Sequence, residues 1–190
     1  MFRHGEAFHN KEKIRQGICN SLLSLKGVDQ SKSYAYRLME KKVNFDEYEL
    51  FSSPMVRTIH TLQIMCEINK INNFYKKIQI DTLLSEIDIG DFKNMYWDDV
   101  KNKYSKESWE IRDIWKYRFP NGESYIDCFN RIEKFVKKNE CKKNLIVVSH
   151  GVCVYFLLNI LQNRKKNFYP LRNREQTKII SLNSIVTQKT

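Results

Sequence analysis

"NLIVVSHGVCVYFLLNIL", residues Asn144 to Leu161, poses a choice that decides the fold. Its length is close to the ~18 to 20 apolar residues that a membrane-spanning helix needs. The polar group Ser149-His150-Gly151 in its middle argues against a span. The half before that group is β-branched and the half after it has helical character, the pattern of a buried strand turning into a core helix. "NLIVV" is nearly continuous in apolar residues, as a parallel strand covered on both faces requires. No membrane span is expected.

Working outward, "SYIDCFNRIEKFVKK" upstream is amphipathic, with Ile126, Phe129, Ile132, Phe135 and Val136 inward and Ser124 placed to cap it. "YELFSS" reads as a short strand and "KIQIDTLL" alternates like another. Between them "PMVRTIHTLQIMCEIN" repeats Val56, Ile59, Leu62, Met65 and Ile68 at helical intervals, with Pro54 at its start. "SKSYAYRLMEKK" is also helical, with Tyr34, Leu38 and Met39 on one face and Ser31 or Ser33 available as cap. Strand and helix alternate, a βαβ grammar that gives an α/β layered domain. In such sheets ligands bind where strands end and helices begin. Ser149-His150-Gly151 lies at such a place, and so does Ser52-Ser53-Pro54 before the helix that carries Arg57. If the opening "MFRHGEAFHN" also caps a strand, Arg3 and His4 join them in one crevice.

Composition agrees with a folded, reduced, basic protein. The 190 residues suit one domain, and the 42% hydrophobic and 29% charged content is ordinary for a globular chain. The N-terminus lacks the basic, apolar, small-residue pattern of a secretory leader. The 5 cysteines are scattered without a C-x-x-C pair, which favours a reducing compartment and a cytoplasmic location over a disulfide framework or zinc knuckle. A net charge of +11 favours anionic partners. The lysines are dispersed in pairs such as Lys76-Lys77 and Lys165-Lys166, so the charge reads as a solvated surface and not as a specific nucleic-acid face.

Arginine and histidine brought together suit phosphate. Arginine's planar fork makes bidentate bonds to phosphate oxygens, and a neutral imidazole nitrogen can attack phosphorus and hold it covalently. A carboxyl group must then protonate the leaving oxygen and later take a proton from water.

"RHGEAFHN", "SSPMVRTIHT", "LLSEIDIGDF", "PNGES" and "SHG" resemble, in this order, the motif set of the histidine phosphatase superfamily, the phosphoglycerate mutase-like group. "RQG" (Arg15 to Gly17), "LKGVDQ" (Leu25 to Gln30) and "LNSIVT" (Leu182 to Thr187) are similar to its connecting patterns and last sheet strand. The resemblance implies a three-layer α/β/α fold with a mostly parallel central sheet, spanning residues 1–190 as one domain. It implies His4 as nucleophile and phosphohistidine. Arg3, Arg57 and His150 would clamp the phosphate, Asn10 would donate a further hydrogen bond, and Glu86 would be general acid and base. Gly5 and Gly151 would let the backbone approach closely, and a backbone carbonyl next to His4 would hold the imidazole tautomer. No metal and no cofactor are needed, except 2,3-bisphosphoglycerate if the chain is a mutase.

The run from Glu86 to Gly122 is short beside the mutase pattern. That favours a phosphomonoesterase acting on a small phosphorylated metabolite or a phosphoprotein, with a mutase and a catalytically weak phosphate-binding module as alternatives. The oligomeric state stays open, a homo-oligomer included. His9 and His60 read as packing or surface residues, since the 4 histidines form no metal-ligand pattern. The aromatic and basic stretch Tyr96 to Arg118 reads first as amphipathic cover and, through the resemblance, as the segment that varies with substrate. Only Met1 and Phe2 precede Arg3, so the strand that should aim His4 is expected to be a stub, in a domain trimmed at both ends.

Overall fold

The computed structural model describes residues 1–104 and 115–162. The elements run β1 (Phe2–Arg3), α1 (Phe8–Lys11), α2 (Leu25–Glu40), β2 (Glu49–Ser52), α3 (Val56–Ile68), α4 (Phe74–Lys77), β3 (Ile78–Ile80), α5 (Trp97–Lys103), α6 (Tyr125–Lys138), β4 (Leu145–Ser149) and α7 (Gly151–Leu161), with short 3-10 turns among them. "LNSIVT" at 182–187, Lys165-Lys166 and residues 105–114 of the aromatic stretch, Trp109 included, lie outside the described residues.

The sheet has four parallel strands in the order β1-β4-β2-β3. Alternation along the strands splits the core in two. Ile146 and Val148 of β4, with Leu50 of β2, pack against Tyr34 and Leu38 of α2 and Leu62 and Met65 of α3. Val147 and Phe51 point the other way, onto Phe129 and Phe135 of α6 and Phe156 of α7. Helices α2 and α3 thus cover one face, α6 and α7 the other, and the three-layer α/β/α arrangement follows. The chain moves one way across the sheet from β1 to β3 and doubles back to β4. For right-handed crossovers that reversal must put the helices on opposite faces.

The run Asn144–Leu161 is divided at His150 into β4 and α7, and among the described residues no helix is long and apolar enough to cross a membrane. Helix α6 starts at the expected cap: Ser124 Oγ accepts from Asp127 N at 3.1 Å, and Asp127 Oδ2 accepts from Ser124 N at 2.8 Å.

Other elements differ from the sequence reading. Helix α2 begins at Leu25 with Ser24 as its cap, so "LKGVDQ" is its first turns and not a connector. Ser31 and Ser33 are interior and bond back to the carbonyls of Gly27 and Asp29 at 2.8 and 2.9 Å. Gly27 is there for a crossing. A Cβ on Gly27 would lie 2.0 Å from Glu6 O, and one on Gly5 would lie 2.2 Å from Gly27 O. The glycine after His4 therefore lets the chain pass against α2. Met39 is 49% exposed and Val56 is 38% exposed, both off the faces expected for them. The first turn of α3 buries Arg57 and Thr58 instead. β3 ends at Ile80 because Asp81 Oδ1 accepts from Leu83 N at 2.9 Å and opens a 3-10 turn.

β1 is two residues long, yet its placement is firm. Phe2 and Arg3 are in register with Val148 and Ser149, and His4 N donates to Ser149 O at 3.0 Å. Phe2 is buried edge-on against Tyr34, ring centroids 5.2 Å apart.

Candidate active site

The register brings three strand ends level. Arg3 pairs with Ser149 and Ser52 pairs with Val148, so His4, His150 and Ser53 leave the sheet side by side. This is the carboxyl edge at the reversal of strand order, where α/β sheets bind ligands.

His4 is buried, and its ring centroid is 5.2 Å from that of His150. Its Nδ1 donates to Gly5 O at 2.6 Å, which leaves the lone pair on Nε2, where it accepts from Arg57 Nε at 3.2 Å. Thr61 fixes that carbonyl's residue by accepting from Gly5 N at 3.0 Å. Burial, reinforced by Arg57 and Arg3, holds the His4 imidazole well below its ordinary pKa, so it is neutral.

Arg57 is fully buried at the start of α3. Its Nη1 and Nη2 donate to Cys19 O and Gly17 O at 2.7 and 2.9 Å, and its Nε points at His4 Nε2, 3.2 Å away. Burial brings its pKa down to about 10, which still leaves it charged at neutral pH. His150 caps α7, an 11-residue helix whose N-terminus faces the site. Its Nε2 is 2.8 Å from Ser53 Oγ, and burial, then Arg57, His4 and Arg3, push its pKa down. Its Nδ1 is buried with no partner, and so is Arg3 Nε. Gly151 lies against that arginine, and a Cβ there would be in ordinary contact, 3.5 Å from Arg3 Cζ.

Glu86 lies on the loop after the Thr82–Leu84 turn. Its Oε1 accepts from Ile87 N at 3.0 Å and is 3.8 Å from Cys153 Sγ. Burial raises its pKa, against the opposing pull of the Ile87 amide, Arg57, Arg3 and Arg131. Such a carboxyl can hold a proton and give it up. Asn10 is in α1, where its Oδ1 accepts from Ala7 N at 3.0 Å, leaving its Nδ2 as the donating end. His9 bonds Asn94 at 2.9 Å, outside the histidine pair.

Several contributors escaped the sequence reading. Arg131 of α6 grips the acid loop: Nη1 donates to Leu83 O and Ser85 O, both at 2.7 Å, and Nη2 to Glu86 O at 3.2 Å. The same guanidinium pairs with both oxygens of Glu123 at 2.9 Å, and Glu123 Oε2 accepts from Asp88 N at 3.0 Å. "PNGES" thereby braces Glu86, and an arginine eight residues after its glutamate was the available signal. Ser149 Oγ and Cys153 Sγ tie the same loop to β4 and α7 through Leu84 O and Ser85 O, at 2.7 and 2.9 Å. Gln16 Nε2 is another buried donor without a partner, near the Gly17 carbonyl that holds Arg57.

The arrangement is a buried basic cluster with the His4 lone pair held on Arg57 Nε, unpartnered donors on Arg3 and His150, and a protonatable carboxyl. It can bind an anion and attack it.

The model of the histidine phosphatase superfamily (branch 1) matches residues 1–188. The chain is 30% identical over 172 residues to 6-phosphofructo-2-kinase/fructose-2,6-bisphosphatase 1 of Homo sapiens, covering 90% of this chain and 34% of that protein. It is 28% identical over 168 residues to fructose-2,6-bisphosphatase of Saccharomyces cerevisiae, covering 85% of this chain and 34% of that one. The chain thus spans about a third of the length of these relatives. Among solved structures, alpha-ribazole phosphatase from Shigella flexneri superposes with a TM-score of 0.72 at 22% identity, covering 86% of this chain and 79% of that one. A mycobacterial glucosyl-3-phosphoglycerate phosphatase, solved with VO3, gives 0.71 at 22% identity, covering 86% and 80%.

Proposed function

The chain belongs to the histidine phosphatase superfamily, and on that premise we propose that it is a metal-independent phosphomonoesterase working through phosphohistidine. The observation that carries the reading is the pairing of His4 Nδ1 with Gly5 O, which keeps the lone pair on Nε2, where Arg57 Nε meets it beside the unpartnered Arg3 Nε and His150 Nδ1.

In the first half-reaction His4 Nε2 forms the bond to phosphorus, the ester P–O bond breaks, and the leaving oxygen takes the proton of Glu86. In the second, water adds to phosphorus as the N–P bond breaks, and its proton returns to Glu86. The phosphoryl oxygens are met by Arg3, Arg57 and the His150 Nδ1–H, with Ser53 Oγ–H donating to His150 Nε2 and fixing that tautomer. Asn10 Nδ2 supplies a further donor. A guanidinium held by two carbonyls needs little reorganisation as charge develops, and that preorganisation stands in for a metal.

The substrate is a small phosphorylated metabolite or a phosphoprotein, and the names of the relatives make a sugar bisphosphate the first compound to assay. The decisive experiment compares phosphate release from an aryl phosphate by the chain and by His4→Ala, without added metal, from acid to neutral pH. Turnover should vanish in the variant, and label from a radioactive phosphate donor should be trapped on the parent in an acid-labile, alkali-stable bond. Turnover that persists in His4→Ala rejects the covalent route. Phosphate exchange between the two positions of phosphoglycerate, stimulated by bisphosphoglycerate, would reassign the chain to a mutase.

A further inference from the structure

Arg131, Cys128 and Cys153 form a hydrogen-bonded chain from α6 to α7 that ends on the acid loop. Arg131 Nη2 donates to Cys128 Sγ at 3.3 Å. The Cys128 thiol is in turn bonded to Cys153, and that bond, then burial, push its pKa well above the ordinary thiol value, so Cys128 keeps its proton. With Arg131 donating to its sulfur, the proton of Cys128 points to Cys153 Sγ. Cys153, buried in the first turn of α7, passes its own proton onward. Two acceptors stand within its reach: Ser85 O at 2.9 Å and Glu86 Oε1 at 3.8 Å.

A thiol has one hydrogen, so it serves one of these oxygens at a time. The charge of Glu86 decides which. Oε1 already accepts from Ile87 N at 3.0 Å, so the proton of the neutral acid is on Oε2. In that state the nearer oxygen, Ser85 O, takes the thiol. Once Glu86 is ionised, Oε1 becomes a charged acceptor, roughly twice as strong a partner as a neutral carbonyl. The other groups that act on Glu86 keep their charge state meanwhile. Arg3 faces it from β1, Arg57 from α3, and Arg131, paired with Glu123, from α6, all as fixed charges. Burial pushes the Tyr125 phenol of α6 up to about 12, and Cys128 stays a thiol. His4 and His150, across the pocket, are held well below 6.5 and are neutral.

We infer that Cys153 is a positioning residue for the acid: its S–H rests on Ser85 O while Glu86 is protonated and turns to Glu86 Oε1 when the carboxyl has given its proton to the leaving oxygen. This deepens the phosphatase reading and rests on it for the step in which Glu86 loses that proton. The thiol leaves Oε2, the oxygen that exchanges the proton, to substrate and water. It steadies the ionised carboxylate between the two half-reactions and returns to Ser85 O as Glu86 takes a proton from water. No bond to sulfur other than these hydrogen bonds is made or broken.

The test reads the thiol directly, so that it does not depend on turnover. Infrared spectra in the S–H stretching region are taken from about pH 4.5 to 8 for the full chain, for Cys153→Ser and for Glu86→Gln. The parent should show a pH-dependent S–H component that is absent from both variants, because one lacks the thiol and the other cannot ionise. On an aryl phosphate, the alkaline limb of kcat/KM, which reports Glu86 in the free enzyme, should rise by about 0.5 to 1 pH unit in Cys153→Ala, a weak donor's share of a hydrogen bond to a charged group. Cys153→Ser, whose hydroxyl can donate to either oxygen, should bring the limb most of the way back. An S–H component that ignores pH, or that moves equally in Glu86→Gln, would overturn the inference. So would a loss of rate in Cys153→Ala with the limb in place, the mark of a merely structural thiol. An S–H component that follows Glu86 in a chain without turnover would uphold the switching contact and reject the phosphatase reading. Turnover with a stationary S–H component would reject the inference alone.

Discussion

Replacing Arg131 by methionine should separate the support of the acid from the acid itself. The side chains of Arg131 and Glu123 are 16% and 25% exposed, so the pair is mostly but not fully shielded. Burial works against the guanidinium's charge, yet its bonds to Glu123 outweigh that and hold its pKa above the ordinary value. Removing one member of a buried pair costs roughly 3 to 5 kcal/mol, and the partial exposure argues for the lower end, about 3 kcal/mol. The variant also strips the donor from the Leu83, Ser85 and Glu86 carbonyls. At about 2 to 4 °C per kcal/mol for a chain of this size, the melting midpoint should fall by roughly 6 to 12 °C. A displacement of the acid loop by about 1 Å would lower kcat on the order of a hundredfold. Because Arg131 pulls the Glu86 pKa downward, its loss should also move the alkaline limb of the kcat profile to higher pH. Thermal denaturation followed by circular dichroism and a pH-rate profile on an aryl phosphate read the effects separately. A second variant, Arg131→Met with Glu123→Met, should cost less than the sum of the single changes by about 1 kcal/mol or more. A midpoint within about 2 °C of the parent would refute the energetic argument. A lower midpoint with unchanged kcat and pH profile would reduce the brace to a purely structural one.

Two other outcomes follow from the buried ionisable groups. The folded Glu86 pKa is raised above 4.5, so the native chain holds this proton more firmly than the unfolded one and stability is lost as pH rises through the raised value. Glu86→Gln should therefore lower kcat by about 10²- to 10⁴-fold yet melt higher than the parent at neutral pH, with the gain gone below about pH 4; a variant that melts lower at pH 7 would show that the carboxylate is not buried at a cost. His4 and His150 have the opposite sign: their folded pKa values lie below 6.5, the unfolded chain takes up protons that the native one refuses, and stability falls as pH drops below 6.5. Inorganic phosphate should offset this by about 2.7 kcal/mol at a hundred times its dissociation constant, an effect that Arg3→Met should abolish. Melting curves from pH 8 to 5 that are insensitive to phosphate would contradict a preformed anion pocket.

Local signals carried much of the architecture. The polar interruption at Ser149-His150-Gly151 divided an apolar run correctly, because a strand-to-helix junction at a sheet edge must expose backbone to a ligand or solvent, whereas a spanning helix has no reason to break there. Ser124 was legible as a cap because its reciprocal partner Asp127 is three residues away. What could not be read depends on contacts between distant segments. Gly27 looks like a helix breaker in isolation, and only its passage against Gly5 and Glu6 explains a glycine inside α2. Val56 fits the apolar period of α3 but is turned outward, because the helix gives its inward first turn to Arg57, whose partners Gly17 and Cys19 are some 40 residues upstream. Of the site residues, His4, His150, Arg57, Arg3 and Glu86 were indicated by their motifs. Thr61 acts through a backbone atom of another segment and carries no signature of its own, and Arg131 was marked only by its spacing from Glu123.

The pocket's charge balance suits an anion. Arg57 is satisfied by carbonyl dipoles rather than by a carboxylate, so it keeps its full charge while its geometry is locked. Arg3 keeps an unpartnered Nε. The carboxyl coupled to both arginines, Glu86, has a raised pKa and tends towards its neutral form, which spares the pocket an internal competitor for phosphate. With both histidines also kept neutral, the two guanidiniums repel little besides each other. A phosphate entering this space would reverse the local field, favour a proton on His150 and on Glu86, and displace Arg57 Nε from the lone pair of His4. On the proposed mechanism, ligand binding would then free the His4 lone pair and favour the protonated Glu86 together, because the anion's charge acts on Arg57 and on the carboxyl alike.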